Sequence, residues 1–357
     1  MTGLGDRNMG ELGTVARRGD QTVGRDETVA RNGAAGAGCA RLRIEWEHPI
    51  RSLLDVPAAL TCGAVAIGNF DGVHRGHARL IERLRRKADE VGGPATVLTF
   101  EPHPVVLLRP DAAPPPLTWA ERKADLLADL GVDAVVIQPT DLALLSLTAR
   151  EFFECVVLQC LRAKAVVEGP NFRFGRDRAG DILVLDQLCA QAGVVLDIVE
   201  PLTVGDGLVS SSRIRERIRL GDVDAARAML TQPYRTRGMV VHGARRGGAL
   251  GFPTANLEAV DTLIPGMGVY AGRAYTAAES WPAAVNIGPN PTFGEHGFKF
   301  EIHLVGFTGS LYGQPLEVDF LSRLRDIQPF PSSEDLKHQL QVDIRAVCEI
   351  TNSTSRG

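Results

Sequence analysis

The chain has 357 residues, of which 44% are hydrophobic and 23% are charged, and its formal net charge is -4. This length predicts two domains of about 150 residues each. The composition is typical of a soluble globular protein, and no apolar run is long enough to span a bilayer. The slightly acidic charge argues against nonspecific binding to nucleic acid, so we expect a cytoplasmic protein with neither nucleic acid nor membrane as partner.

The cysteines predict no disulfide framework and no zinc site. They show no C-x-x-C pair and no Cys/His spacing of a zinc ligand set. Cys155 and Cys160 are five positions apart on a predicted helix, where they do not share a face. We therefore expect reduced, structural cysteines at all six positions: Cys39, Cys62, Cys155, Cys160, Cys189 and Cys348.

Residues 1–40 differ from the rest of the chain. They are rich in glycine, mix arginine with acidic residues and show no apolar period. Such a composition is typical of disorder. The segment lacks the apolar core of a secretory signal and is too acidic for a mitochondrial presequence. We expect a disordered extension over 1–40 and a frayed tail over 351–357.

From residue 64 onward, apolar β runs alternate with helix patterns. This alternation predicts a doubly wound α/β domain over 41–231, with about five parallel strands and helices on both faces. Thr118 with Glu121, and Thr148 with Glu151, have the spacing of capping boxes at helix starts. Three consecutive prolines at 114–116 predict an extended connection near the carboxyl edge of the sheet. The predicted strands are AVAIG, ATVLTF, VDAVVIQ, AVVEG and VVLDIVE.

The pattern changes near residue 232. One short predicted helix begins after the serines at 210–212 and ends at Gly221, and a second, DVDAARAML, follows it. From Thr236 the chain offers closely spaced β runs broken by glycine and proline, which predict an antiparallel barrel or sandwich. A closing helix capped by Ser332 or Ser333 completes a second domain over 232–350.

A string at 64–77, AVAIGNFDGVHRGH, has the features of a triphosphate site. Small turn residues allow backbone to approach a bulky anion, and the following helix directs free N–H groups at it. Two histidines three positions apart are by themselves more often surface residues. Three more strings follow β runs and would meet at the same sheet edge: TFEPHP at 99–104, EGPNFRFGRDRAGD at 168–181 and VSSSRIR at 209–215. Taken singly, these strings also fit a core turn, a solvated loop and a helix cap.

Together and in this order, the four strings resemble the adenylyltransferase half of the bifunctional riboflavin kinase and FAD synthetase family. The resemblance implies transfer of AMP from ATP to the phosphate of FMN, with release of pyrophosphate. It implies that His74 and His77 act on the ATP phosphates and that Asn171 contacts the flavin. Ser212 stands where the family usually has threonine, which keeps the hydroxyl. The remaining ATP or pyrophosphate contacts that it implies are Gly68, Phe70, Asp71, Gly72, Gly76, Ser211, Ser212, Arg213 and Arg215.

The second half resembles the riboflavin kinase domain of the same family. The strings that carry this likeness are GFPTANLE at 251–258, IPGMGVYAG at 264–272, NIGPNPTF at 286–293, FEIHLVGFTGSLYG at 300–313 and LSRLRDIQPF at 321–330. A Walker P-loop is absent from the sequence, which favours a barrel kinase over a P-loop kinase.

The kinase resemblance implies a role for each of several residues. Thr254 and Asn256 would coordinate Mg²⁺ beside ATP, because hard cations prefer oxygen ligands. Glu301 would accept the proton of the ribityl 5′-hydroxyl. Gly248 stands where the family usually has a second arginine of an Arg-Gly-Arg loop. The remaining contacts it implies are Gly247 and Gly251 for ATP and Arg325 for the flavin.

Two other interpretations remain open at this point. The barrel could bind flavin without turnover, or the first domain could adenylylate another phosphorylated precursor. A Pro-Thr-x-Asn turn is usually only a turn, and Glu301 alternates with Phe300 and Ile302 as in any half-buried strand. The main hypothesis is a bifunctional enzyme that uses riboflavin, FMN, ATP and Mg²⁺ and is a monomer or a weak homo-oligomer.

Overall fold

The computed structural model describes residues 49–243, 251–290 and 295–354. The predicted extension over 1–40 lies outside this range. The first part of the chain forms the predicted parallel sheet, with strand order β3-β2-β1-β4-β5. Its strands are β1 (Ala64–Ile67), β2 (Ala95–Glu101), β3 (Ala134–Pro139), β4 (Ala165–Glu168) and β5 (Val195–Ile198).

Helices cover both faces of this sheet. Successive residues of β1 point to opposite faces. Val65 and Ile67 pack in one core with Phe153, whereas Ala64 and Ala66 pack in the other with helix residues such as Ile81. Both faces are therefore buried, which explains the continuous apolar strand sequences. The helices are α1 (Arg75–Val91), α2 (Pro104–Leu108), α3 (Ala120–Asp129), α4 (Leu142–Ser146), α5 (Ala149–Phe152) and α6 (Ile182–Ala192).

One of the two predicted capping boxes forms. Thr148 accepts from the backbone N–H of Glu151, whose side chain accepts in return from the N–H of Thr148. The Thr118 and Glu121 box is wrong, because α3 begins after Trp119 and has no side-chain cap. The Thr118 hydroxyl instead donates to the buried carboxylate of Asp71, and Glu121 pairs with Arg51. The Thr118 oxygen accepts from the backbone N–H of Gly72 at 3.2 Å rather than from a helix N–H.

The helix predicted over 148–163 is not uniform. After α5 the chain continues as a π-helical segment over Phe153–Cys160, which places Phe153, Val156 and Val157 in the core. The five described cysteines are free thiols, as predicted. No helix among the described residues is long and apolar enough to cross a membrane.

The second part of the chain is a closed antiparallel barrel with strand order β10-β11-β12-β9-β8-β13. The sequence left a barrel and a sandwich open, and the barrel is confirmed. Alternating residues such as Val285, Phe300, Ile302 and Phe320 fill its interior. The strands are β8 (Tyr234–Val241), β9 (Ala255–Glu258), β10 (Gly268–Tyr275), β11 (Ser280–Asn290), β12 (Glu295–Leu304) and β13 (Pro315–Arg325).

The closing helix α9 (Ser333–Thr354) extends further than expected. The Ser332 hydroxyl accepts from the N–H of Asp335 and so caps the helix. Residues 351–354 were expected to be frayed, but they are helical, and Thr351 is buried. The carbonyl of Thr351 accepts from the Arg273 guanidinium of the barrel, which holds the helix end in place.

The hydrophobic core of the barrel continues across the predicted boundary at 232. Helices α7 (Ser211–Arg219) and α8 (Val223–Met229) share one buried cluster with barrel residues such as Tyr270 and Phe320. Two backbone hydrogen bonds join the parts: Leu263 N–H to the Pro116 carbonyl, and Gly266 N–H to the Ile218 carbonyl, each at 2.9 Å. Residues 211–229 thus belong physically to the barrel core as well as to the sheet domain.

We predict that a 210–354 fragment is more stable than a 232–354 fragment by at least about 3 kcal/mol, because it keeps several fully buried apolar side chains. Urea unfolding followed by circular dichroism measures the difference. In the longer fragment, Ile218→Ala should cost about 2–5 kcal/mol, and Leu220→Ala should stay within about 0.5 kcal/mol. The exposed fractions of these two side chains, 0% and 60%, make them a matched pair. Equal stability of the two fragments would show that the barrel core is independent of α7 and α8.

Candidate active sites

Direct contacts join three of the four motif strings, those at 64–77, 99–104 and 209–215, at one edge of the sheet. Strand β1 lies between β2 and β4, where the strand order reverses, and α/β sheets bind ligands at such a point. The Ser211 hydroxyl donates to the carbonyl of Asp71 at 2.8 Å. The side chains of Asn69 and His103 meet at 2.9 Å. The loops after β1 and β2 and the start of α7 therefore form one site.

His74 and His77 form a reciprocal cap at the start of α1, in which each ring binds the backbone N–H of the other residue. Nδ1 of His74 accepts from the N–H of His77 at 3.2 Å, and Nδ1 of His77 accepts from the N–H of His74 at 3.3 Å. The rings stack with centroids 3.5 Å apart. A Cβ on Gly76 would come within 3.1 Å of the His74 ring, so this glycine leaves room for the stack. Since both Nδ1 atoms accept, the proton of each neutral ring is at Nε2.

Both rings are neutral at pH 7. Burial lowers the pKa of His74 to about 4, and the nearby Asp71 carboxylate opposes this shift. Burial also lowers the pKa of His77 well below its usual value, and charge on His74 and the Lys123 ammonium add to the effect. Neither Nε2 has a hydrogen-bond partner in the described part of the chain. The pair therefore offers two neutral N–H donors at the start of a long helix.

The Asp71 side chain is buried and binds neighbouring parts of the chain. Its buried carboxylate accepts from the backbone N–H of Leu117 at 2.9 Å and of Thr118 at 3.0 Å. It also accepts from the Arg215 guanidinium, whose Nε donates to the Pro115 carbonyl at 2.8 Å. The sequence placed Asp71 and Arg215 among the ATP and pyrophosphate contacts. In the structure these two side chains bind each other and the 115–118 loop.

The other predicted residues of this site differ in their surroundings. Ser212 and Asn171 are exposed. The Phe70 side chain is buried in the core, with its ring 5.0 Å from that of His77. Gly72 has φ +82, and a Cβ there would meet the Leu117 side chain at 2.9 Å. The Arg213 guanidinium binds the hairpin of β6 (Thr203–Val204) and β7 (Gly207–Leu208), through the carbonyls of Val204 and Gly207 and the carboxylate of Asp206.

Sequence reasoning missed Asn69 and His103 as site residues. Nδ1 of His103 accepts from the N–H of Val105, so Nε2 carries the proton of the neutral ring. Because Nε2 of His103 is a donor, the atom of the Asn69 amide that faces it must be the oxygen. The NH₂ group of Asn69 then occupies the other end of the amide, which is buried and has no hydrogen-bond partner in the described ranges. The TFEPHP string contained His103, but nothing in that string showed the pairing with Asn69.

A second polar site lies on the outer face of the barrel. Glu301 on β12 pairs in register with Asn256 on β9 and with Asn286 on β11. Its neighbours Phe300 and Ile302 point into the barrel, so Glu301 points outward. Direct cross-strand neighbours on one face have Cβ atoms about 5 Å apart. Asn286 was not predicted as a site residue.

Thr254 and Asn256 suit a hard cation. They are two positions apart where β9 begins, so they share a face, and both carry neutral oxygen donors. Outside the backbone ladder of the barrel, neither side chain hydrogen-bonds to another residue in the described ranges. A Cβ on Gly243 would lie 2.1 Å from the Asn256 amide, so this glycine provides the space that Asn256 occupies. His303 fixes the preceding turn through a 2.8 Å contact of Nδ1 with the Pro253 carbonyl.

The remaining predicted kinase residues are placed as follows. Gly247 and Gly248 lie outside the described residues. Gly251 has φ +89 and adjoins the Thr254 turn. Arg325 forms an ion pair with the buried Asp343 of α9 at 2.8 Å and lies 5.6 Å from the centre of the Phe330 ring. The Arg325 guanidinium therefore joins β13 to the closing helix.

Comparison with known proteins assigns a family to each half. The FAD synthetase family model matches residues 57–213, and the riboflavin kinase model matches residues 230–351. A bifunctional riboflavin kinase/FMN adenylyltransferase of Pseudomonas fluorescens is 38% identical over 80% of this chain and 92% of its own. The protein of the same name from Escherichia coli K12 is 34% identical over 82% and 95%. The one from Bacillus subtilis is 34% identical over 84% and 95%.

A solved structure supports the same two-part architecture. The chain described as a macrolide-efflux protein from Streptococcus pneumoniae is 31% identical, with a TM-score of 0.73 over 84% of this chain and 97% of that chain. The two family models and these relatives show that the chain belongs to the family of bifunctional riboflavin kinases and FMN adenylyltransferases.

Proposed function

We propose that the two activities of this family take place at the two sites described above. FMN is adenylylated at the carboxyl edge of the sheet, and riboflavin is phosphorylated on the outer face of the barrel around Glu301. The observation that carries the first assignment is the His74–His77 pair, which directs two neutral N–H donors from a helix start. The polar row of Asn256, Glu301 and Asn286 carries the second.

At the first site, an oxygen of the FMN phosphate attacks the α-phosphorus of ATP, and the bond to the bridging oxygen of pyrophosphate breaks. Such a reaction needs positioning and charge stabilisation more than a protein nucleophile. His74 and His77 donate to the phosphates from Nε2, and the N-termini of α1 and α7 add their backbone N–H groups. Ser212, which is exposed at the start of α7, offers a further hydroxyl, and Asn171, which is also exposed, would contact the flavin.

At the second site, Glu301 accepts the proton of the 5′-hydroxyl as that oxygen attacks the γ-phosphorus of ATP, and the bond from this phosphorus to the bridging oxygen breaks so that ADP leaves. Asn256 and Asn286 flank Glu301 on the neighbouring strands and orient the hydroxyl. Thr254 and Asn256 would hold Mg²⁺, which, when bound with ATP, neutralises phosphate charge. Arg325 acts on the flavin side from β13, where Asp343 orients it.

Three further points stay predictions from the sequence. They are the cytoplasmic location, the monomeric or weakly oligomeric state, and the roles of Gly247 and Gly251 beside ATP. The alternative of a barrel that binds flavin without turnover is tested directly. Purified protein incubated with riboflavin, ATP and Mg²⁺ should give both FMN and FAD on chromatography. FAD from supplied FMN, with no FMN formed from riboflavin, would instead support the non-catalytic barrel.

We predict that His74→Ala and His77→Ala each lower adenylylation of FMN by at least about 10²-fold, because each removes a donor to charge that develops in the transition state. Formation of FMN from riboflavin should continue, since it uses the other site. FAD yield from FMN is the measurement, and His338→Ala, at an exposed position on α9, is the control. Unchanged FAD synthesis in both variants would make the histidines structural caps.

The neutral state of His74 gives a separate prediction. Because its folded pKa lies near 4, the ring should stay unprotonated from pH 8 to about pH 5.5, and its NMR signals should titrate with a midpoint near 4. The unfolded chain binds this proton near pH 6.5, so the contribution of His74 to stability is lost as pH falls from 6.5 toward 4. A midpoint near 6.5 in the folded protein would contradict the buried, neutral cap.

We predict that Glu301→Gln lowers riboflavin phosphorylation by about 10² to 10⁴-fold, because it keeps the size of the side chain and removes the base. A loose transition state that needs little base assistance would give the lower figure. Adenylylation of supplied FMN should be unchanged. Initial rates at saturating riboflavin and ATP measure the effect, with Glu258→Gln on β9, an exposed carboxylate, as the control. Wild-type turnover in Glu301→Gln would make Glu301 a strand residue without a catalytic role.

A further inference from the structure

Lys123 is a buried ammonium group that the assignments above do not use. It lies on α3, and only 5% of the residue is exposed. Its Nζ is 3.7 Å from a carboxylate oxygen of Glu101, which is too far for a direct hydrogen bond. The Glu101 side chain itself is 46% exposed, so water competes for its charge. A buried lysine whose carboxylate partner is 3.7 Å away and half exposed is costly.

The position of Lys123 is at the adenylyl-transfer site. Glu101 is the last residue of β2, directly before Pro102 and His103. Helix α3 follows the 115–118 loop that Asp71 binds. The Lys123 charge contributes to the lowered pKa values of both His77 and His103, so the ammonium lies within electrostatic reach of both rings.

The protein leaves this cation only partly compensated. Burial lowers the pKa of Lys123, and the charges of Glu101 and Asp71 oppose that shift. The Asp71 carboxylate, however, is already occupied by Arg215, Leu117 and Thr118. A polyanion that enters the site would supply the missing partner, and the ammonium would then act at low dielectric, where charge has its largest effect.

The chemistry of the site requires such a cation. His74 and His77 are neutral, so they donate hydrogen bonds without cancelling charge. The two arginines predicted for this role, Arg213 and Arg215, bind the β6–β7 hairpin and Asp71 respectively. Negative charge accumulates on pyrophosphate as its bond to the α-phosphorus breaks.

We propose that Lys123 is the cation that binds the ATP triphosphate and stabilises the departing pyrophosphate in adenylyl transfer. This inference rests on the proposed location of that reaction. FMN phosphate oxygen forms the new bond to the α-phosphorus, and the electron pair of the broken bond goes to pyrophosphate. The ammonium keeps its proton throughout and balances charge on the leaving group.

The test compares three variants in the full chain. Lys123→Met removes the charge and keeps the length, Lys123→Arg keeps the charge, and Glu101→Gln removes the ion pair but keeps the lysine. Each is assayed in the forward direction with FMN and ATP and in reverse with FAD and pyrophosphate. Riboflavin phosphorylation by the same samples reports on folding.

We expect Lys123→Met to lower kcat/KM for ATP and for pyrophosphate by about 10²-fold or more, with the KM for FMN changed less than about twofold. Lys123→Arg should recover at least about a tenth of the wild-type value. Glu101→Gln should keep or lower the KM for pyrophosphate, because it removes a competing anion. Equal losses in Glu101→Gln and Lys123→Met, or normal pyrophosphate kinetics in Lys123→Met, would overturn the proposal and leave an ion pair that only fixes α3.

Two results separate this proposal from the location on which it rests. If His74→Ala abolishes FAD synthesis while Lys123→Met does not, the site is correct and the role of Lys123 is wrong. If neither variant affects FAD synthesis, the assigned location itself fails. If Lys123→Met also loses kinase activity, the Glu101→Gln variant alone decides, because it retains the ammonium and should retain pyrophosphate binding.

Discussion

The buried contact between Asp71 and Arg215 determines the geometry of the first site. The carboxylate joins three separate pieces of chain: the turn after β1, the proline-rich loop over 115–118 and the start of α7. A buried ion pair is stable only when its other donors and acceptors also form hydrogen bonds. Here two backbone N–H groups bind the carboxylate, and the Pro115 carbonyl accepts from the guanidinium. The attraction between the two charges and these hydrogen bonds offset the cost of desolvation, and the pair fixes the two helix starts that are proposed to meet the phosphates.

In this arrangement, different residues provide structural support and hydrogen bonds to the phosphates, two roles that arginines could fill alone. Both arginines of the VSSSRIR string, Arg213 and Arg215, make structural contacts, whereas the histidines are held neutral by burial and supply directed donors without charge. If a triphosphate binds here as proposed, these donors would orient it through hydrogen bonds, and the positive charge would come from other groups. The electrostatics at this edge therefore depend on groups, such as Lys123, that lie outside the glycine- and histidine-rich turn.

The sequence predicted the architecture well because the dominant signals are periodic. Five apolar runs separated by helix patterns gave the parallel sheet, and the change near 232 gave the barrel. What it missed depends on side-chain competition across the fold. Thr118 has perfect capping spacing, but Asp71, 47 positions away, takes its hydroxyl. In the sequence, Lys123 stands among charged residues of a helix pattern, as a solvent-exposed lysine would, and only the folded structure shows that it is buried.

The same loop that Asp71 fixes also connects the two sites mechanically. Leu117 donates to Asp71 on one side and packs in the barrel core on the other, and the adjacent Pro116 carbonyl accepts from Leu263 between β9 and β10. Nearby, the guanidinium of Arg237 on β8 lies 4.6 Å from the centre of the Trp119 ring. Strand β9, which precedes Leu263 in the chain, carries Asn256 of the proposed kinase site, so this loop links the surroundings of both proposed sites. Since packed cores transmit strain instead of absorbing it, the shared core makes the two active sites parts of one structural unit rather than two tethered enzymes.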